Sequence, residues 1–217
     1  MSKFIAIVAI TVLTGGAVQT QATGAETRAS RYMLVSAEGL KLHNVTAEPA
    51  TLEGKKGLRV TSADQRHEPL SEELATIANI EFSSGTFEAE IAGAPAPEAG
   101  EGARGFVGIA FRVQEDMRTY DAFYLRPTNG RAGDQERRNH SAQYISHPDW
   151  PWFRLRKEAP SKYESYVDLV PGAWTKVKVE VNGTEARLYV HGNEQPTLIV
   201  DDLKSGAHFR DLFVEPR

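Results

Sequence analysis

Thr175–Val190, TKVKVEVNGTEARLYV, alternates strictly and decides the fold class. Val177, Val179 and Val181 fall on one side of an extended chain, with Lys176, Lys178 and Glu180 on the other. Asn182-Gly183 offers the positive-φ pair of a type I′ turn, after which Ala186, Leu188 and Val190 return to the apolar side. Two strands with one buried face, joined by a tight turn, make a hairpin. Working outward, the same period marks strands at Leu40–Val45, Gly57–Thr61, Gly85–Ile91, Gly105–Val113, Ala122–Arg126, Gln143–Ile145 and Pro196–Val200.

In Gly85–Ile91, Phe87, Ala89 and Ile91 oppose Glu88 and Glu90; Phe106–Phe111 alternates less, as a strand covered on both faces does. One short helix is expected around Ser71–Ala78, with Ser71 as N-cap. Gly93–Gly102, GAPAPEAGEG, reads as a long surface loop within one domain. Many short strands and at most one short helix predict an all-β fold, a two-sheet antiparallel sandwich of jelly-roll type.

The chain has 217 residues, 41% hydrophobic and 25% charged, enough for one sizeable core. Its formal charge of −4 argues against general affinity for nucleic acid or anionic lipid. With no cysteine, disulfides, thiolate nucleophiles and Cys-ligated zinc are excluded.

Residues 1–25 read as a signal peptide. Lys3 is a short basic start, and Phe4–Leu13, FIAIVAITVL, is an apolar run too short to span a bilayer as a helix. Cleavage after Ala22 or after Ala25 fits a small-x-small site. An uncleaved anchor is the alternative, and the run is short for one. Export without cysteine suits a bacterial periplasmic or secreted protein. Residues 26–217 then form the domain.

Residues 118–168 differ from the rest. They hold Tyr124, Arg126, Asn129, Arg131, Asp134, Gln135, Arg138, Asn139, His140, Gln143, Tyr144, Trp150 and Trp152. Aromatic faces cover the C–H face of a sugar ring, while planar polar side chains hydrogen-bond its hydroxyls. The competing reading is a loop-rich edge stapled by these same groups. Should catalysis occur, the candidate carboxyls are Asp121, Asp134, Glu136, Glu158 and Glu164; of these Asp134 is the expected acid/base and His140 its proton-transfer partner, with Arg126, Arg131 and Arg138 orienting substrate.

Other chemistries find less support. No Gly-x-Ser-x-Gly, His-Glu-x-x-His or phosphate-binding glycine loop occurs. Glu88-Ala89-Glu90 lacks the third acid of the retaining β-glucanase pattern. No cofactor is implied; a metal at His140 and His147, or structural calcium at Asp201-Asp202, has only the residue types in its favour.

The runs Ala103–Arg112 (ARGFVGIAFR) and Phe123–Arg131 (FYLRPTNGR) resemble bacterial secreted proteins of the concanavalin A-like lectin/glucanase superfamily. More narrowly they resemble the family-16-glycoside-hydrolase-like or 3-keto-disaccharide hydrolase domains. Arg138-Asn139-His140, Trp174–Val177 and Leu188–Val190 belong to the same likeness, which runs from about Tyr32 to Leu203. It implies a jelly roll with ligand at the concave sheet and its rim loops, and a role as carbohydrate-binding module or hydrolase. It also adds Arg112 to the expected binding residues. One departure is that Leu203–Gly206 passes directly into Ala207–Leu212, so about one strand of the usual pattern is missing.

Overall fold

The computed structural model describes residues 4–14, 28–63, 72–80, 82–97 and 99–207. In chain order the strands are β1 (Phe4–Thr14), β2 (Arg28–Tyr32), β3 (Leu40–His43), β4 (Val45–Leu52), β5 (Lys55–Ser62), β6 (Leu74–Ile77) and β7 (Gly85–Pro95). They continue with β8 (Val107–Phe111), β9 (Tyr120–Leu125), β10 (Ala142–His147), β11 (Glu164–Ser165), β12 (Thr175–Asn182), β13 (Glu185–Val190) and β14 (Leu198–Val200). Two α-helices, α1 (Gln135–Asn139) and α2 (Trp152–Glu158), lie among the last of these.

The expected all-β, antiparallel architecture is present. The large sheet runs β14-β13-β12-β7-β1-β5-β4, with β2 paired to β1; a four-stranded sheet runs β11-β10-β9-β8; β3 and β6 form a separate ribbon. The two larger sheets share one core. Phe87, Ala89 and Ile91 of β7, Val177, Val179 and Val181 of β12 and Leu188 of β13 pack with Val107, Ile109, Phe111, Phe123 and Leu125 from β8 and β9. The Phe87 and Phe111 rings meet across the sheets with centroids 6.5 Å apart. Leu→Ala at such sites costs about 2–5 kcal/mol.

The 175–190 hairpin has the expected faces, and Val179 sits opposite Leu188. Its turn is shifted by one residue. Asn182 pairs with Glu185, which leaves Gly183-Thr184 as the loop, and of these only Gly183 has positive φ. A positive φ at the first loop position alone is the pattern of a type II′ turn, where glycine is required.

Four expectations are corrected. There are two α-helices rather than at most one, and neither lies at Ser71–Ala78. Leu74–Ile77 is strand β6, because its amides pair with β3; Ser71 lies outside the described residues. The loop expected at 93–102 begins later, since β7 runs on to Pro95. The strand expected at Leu40–Val45 is divided: β3 ends at His43, Asn44 takes a positive φ, and β4 runs on from Val45 through Pro49, which an edge strand tolerates because no N–H is needed there.

The apolar run read as a leader is strand β1, paired along its length with β7 from Phe4–Pro95 to Thr14–Gly85. Ala6 and Ile7 pair with β5 on the other side. Among the described residues β1 alone joins β7 to β5. Ala22, Ala25 and the Phe209–Leu212 stretch lie outside the described residues. No helix among them is long and apolar enough to cross a membrane, which leaves strands out of account.

Candidate functional site

Alternation sorts the residues of the four-stranded sheet onto two faces. Phe123, Leu125 and Tyr144 point into the core. Register places Gly108 beside Tyr124, Tyr124 beside Gln143, and Gln143 beside Glu164, so these share the outer face. Arg126, two residues past Tyr124, falls on the same side. Gly108 is obligatory there: a Cβ would meet the Phe123 carbonyl oxygen at 2.3 Å and the Tyr124 Cβ at 2.6 Å.

Arg126 is the hub of this face and is only 5% exposed. Its Nη1 donates to the His140 carbonyl at 2.8 Å, and Nη2 donates to the Tyr124 hydroxyl at 2.8 Å and to Gln143 Oε1 at 3.3 Å. Three rings surround the guanidinium: Tyr124 at 4.9 Å, Phe106 at 5.7 Å and Trp152 at 5.9 Å from Cζ to centroid. Phe106 meets Tyr124 edge-on at 5.4 Å. Burial lowers the pKa of Arg126, and repulsion from Arg156 adds to this, against the favourable pull of Tyr124 and Glu164. Burial likewise pushes the Tyr124 hydroxyl up to about 12, so it stays protonated and can accept from Arg126.

Glu164 supplies the negative charge. Its side chain is 3% exposed. Arg156 Nε donates to Oε2 at 2.9 Å while Nη2 meets Oε1, a bidentate fork; Arg126 Nη1 stands 3.6 Å from Oε1. His140 Nδ1 lies 2.9 Å from Oε2. This is ion-pair distance, yet neither ring nitrogen of His140 has a hydrogen bond of good geometry. Burial lowers the His140 pKa more than Glu164 raises it, and Arg156 and Arg126 push it down further, so the ring is neutral near pH 7. A carboxylate so enclosed by guanidiniums fixes the geometry of the groups around it.

Helix α2 completes the face. Trp152 and Arg156 are four residues apart and share one side of it, with the Arg156 guanidinium 4.7 Å from the Trp152 ring centroid. Trp152 is 43% exposed and meets Phe153, also exposed, edge-on at 5.8 Å.

The structure gathers Tyr124, Arg126, His140, Gln143 and Trp152 and disperses the other expected residues. Asp134 is the N-cap of α1: its Oδ1 accepts from the backbone N–H of Glu136 and Arg137, and the carboxylate beside His140 is Glu164 instead. Asn129 donates to the His140 carbonyl and accepts from Arg137, fixing the loop. Arg131 pairs with Asp168 at the surface. Arg138 donates to the carbonyls of Ala132 and Gly133 and to Gln135, which in turn donates to Asn139.

Tyr144 is a core residue that donates to Asp121 at 2.6 Å, and Asp121 also meets Ser205. Arg112 donates to Ser205 and to the carbonyls of Ser83 and Gly183, so it belongs to this inner staple. Trp150 lies between the Arg154 guanidinium at 3.8 Å and the Lys204 ammonium at 4.8 Å.

His147 stacks on Tyr120 at 5.1 Å, with Nδ1 3.8 Å from Glu72. Asp201 and Asp202 are held by Lys162 at 3.1 Å each, and Asp202 also takes Lys204 and the Tyr163 hydroxyl. No group of three or more His, Asp or Glu side chains suited to a metal occurs among the described residues.

Phe106 and Arg156 are missing from the expected set, and Glu164 stood in it only as one candidate carboxyl among five, with no partner. Phe106 shares the parity of Gly108 and Tyr124's partners, and the Trp152/Arg156 spacing is helical once Pro151 is read as a helix start. Nothing singled Glu164 out from the other four, because a two-residue strand carries no period.

Comparison with protein-family models, with curated proteins and with solved structures finds no match in any of the three.

Proposed function

We propose that the chain is a carbohydrate-binding domain whose ligand lies on the outer face of the four-stranded sheet, against Trp152. The observation that carries this is the half-exposed Trp152 ring set beside the partly exposed Arg156, which the buried Glu164 fixes in place. An open aromatic plane next to fixed donors and acceptors suits a pyranose, which has one apolar face and a rim of hydroxyls. The site draws on residues 106–164 alone, so it does not depend on the fate of Phe4–Thr14. The likeness to concanavalin A-like domains supports the same reading.

Binding of a panel of oligosaccharides to the full chain and to Trp152→Ala tests it. Loss of binding in Trp152→Ala, with Trp150→Phe unaffected, is expected. Equal binding by Trp152→Ala defeats the placement.

The His140–Glu164 pair favours a second reading, hydrolysis of a glycoside or 3-keto-glycoside. A neutral imidazole 2.9 Å from a carboxylate has the spacing, without the hydrogen-bond alignment, of a general base and its orienting group. Turnover of such substrates by the full chain, abolished in His140→Gln with binding retained, supports it. Absence of turnover across the panel leaves the binding module.

A further inference from the structure

We infer that the large sheet makes an autoinhibitory contact: Phe4–Thr14, paired as β1, is withheld from use as a leader, so folding of this chain and processing of its leader exclude one another. This rests on reading residues 1–25 as a signal peptide. The contact itself rests on backbone pairing. β1 is an interior strand, and all of it pairs with β7, from Phe4–Pro95 to Thr14–Gly85. On its other edge Ala6 and Ile7 pair with Val60 and Arg59 of β5, and Ile10 to Thr14 pair with Tyr32 to Arg28 of β2. At those positions the strand is held from both sides.

The strands flanking β1 are also tied to each other across it. Lys55 opens β5 and Glu90 lies on β7, and Lys55 Nζ donates to Glu90 Oε1 at 2.7 Å. With β1 between those strands in the sheet, this ion pair passes over one of its faces. Glu90 alternates with the core residues Ala89 and Ile91, so the face is the outer one. The Lys55 ammonium stands 5.0 Å from the Trp174 ring centroid, and Trp174 Nε1 donates to the Leu52 carbonyl at 3.1 Å. That second tie joins the end of β4 to the approach to β12, on opposite sides of β1.

A leader works as an apolar run free to be taken up by a membrane and its peptidase. Withdrawing β1 breaks its ladder with β7 and uncovers the edges of both β7 and β5. β1 is made first and its partners come later in the chain, so a nascent or unfolded chain offers the run free. Once β5 and β7 have closed on it, the same residues belong to the sheet. The fate of the chain is set by which event comes first.

The test mixes the full chain with a signal peptidase in phospholipid–detergent micelles, either folded or diluted from urea at the moment of mixing. Cleavage after Ala22 or Ala25 is read by mass. The chain fresh from urea is expected to be cut at least about tenfold faster than the folded chain. Equal rates overturn the inference and leave the leader reading standing. Cleavage of neither form defeats the leader reading and the inference with it. Amide hydrogen exchange of the folded chain reads the contact without the peptidase. Phe4–Thr14 is expected to exchange at least about a hundredfold slower than in an unfolded chain. Exchange at the unfolded rate overturns the contact whatever the cleavage rates.

Discussion

His140 Nδ1 stands 2.9 Å from Glu164 Oε2, and the same carboxylate is forked by Arg156. One buried anion therefore ties the end of α1, the α2 helix and the edge of the four-stranded sheet together. Removing it strands Arg126 and Arg156 in a site built for a counter-charge. Glu164→Gln is expected to destabilise the chain by about 3 kcal/mol in denaturant unfolding, with the unfolding slope unchanged. A loss below about 1 kcal/mol contradicts this account of the cluster.

The histidines set an acid limit. Burial lowers the folded-state pKa of both His140 and His147, so below the unfolded-state value of about 6.5 the unfolded chain takes up protons that the folded chain resists. Stability is present in full above that pH and falls as pH drops toward the folded-state values. The melting temperature is expected to decline between about pH 6.5 and pH 5, and His140→Gln to flatten part of that decline. A melting temperature that rises on acidification over this window is the contrary result.

Asp134 and His140 separate cleanly. Asp134→Ala removes an N-cap and should cost about 1 kcal/mol of stability while leaving saccharide binding and any turnover unchanged. A selective loss of turnover returns Asp134 to a chemical role.

Strand β1 invites truncation. A chain starting at Glu26 lacks the strand that joins β7 to β5 and exposes two unpaired edges. Its melting temperature is expected to fall by more than about 10 °C, with a tendency to self-associate. Equal melting temperatures identify Phe4–Leu13 as a removable leader whose pairing adds nothing to the domain.

What was legible in the sequence follows from which physics is local. Period-2 alternation depends on the strand alone, so the 175–190 hairpin, β5, β7, β9 and β10 could be read directly. Whether LATI becomes a helix or a strand depends on pairing with β3, which no local pattern encodes. The site behaves likewise. Tyr124, Arg126 and Gln143 were marked by residue type on recognisable strands, and Trp152 by the clustering of aromatic and planar polar residues around it. Asp134 was misassigned because a carboxylate four residues or so from arginines looks the same on paper whether it caps a helix or faces a ligand. Glu164 was one candidate carboxyl among five, and its pairing with His140, 24 residues away, enters only through the fold, since no spacing rule links them.

The most direct measurement follows one tryptophan. In a Trp150→Phe, Trp174→Phe chain, Trp152 is the sole indole, and its emission reports the outer face of the four-stranded sheet. Saturable blue-shifted emission on titration with an oligosaccharide, at the affinity calorimetry gives, is the predicted result, because a stacked sugar removes water from the ring. Calorimetric binding with no change in Trp152 emission places the ligand elsewhere and contradicts the account.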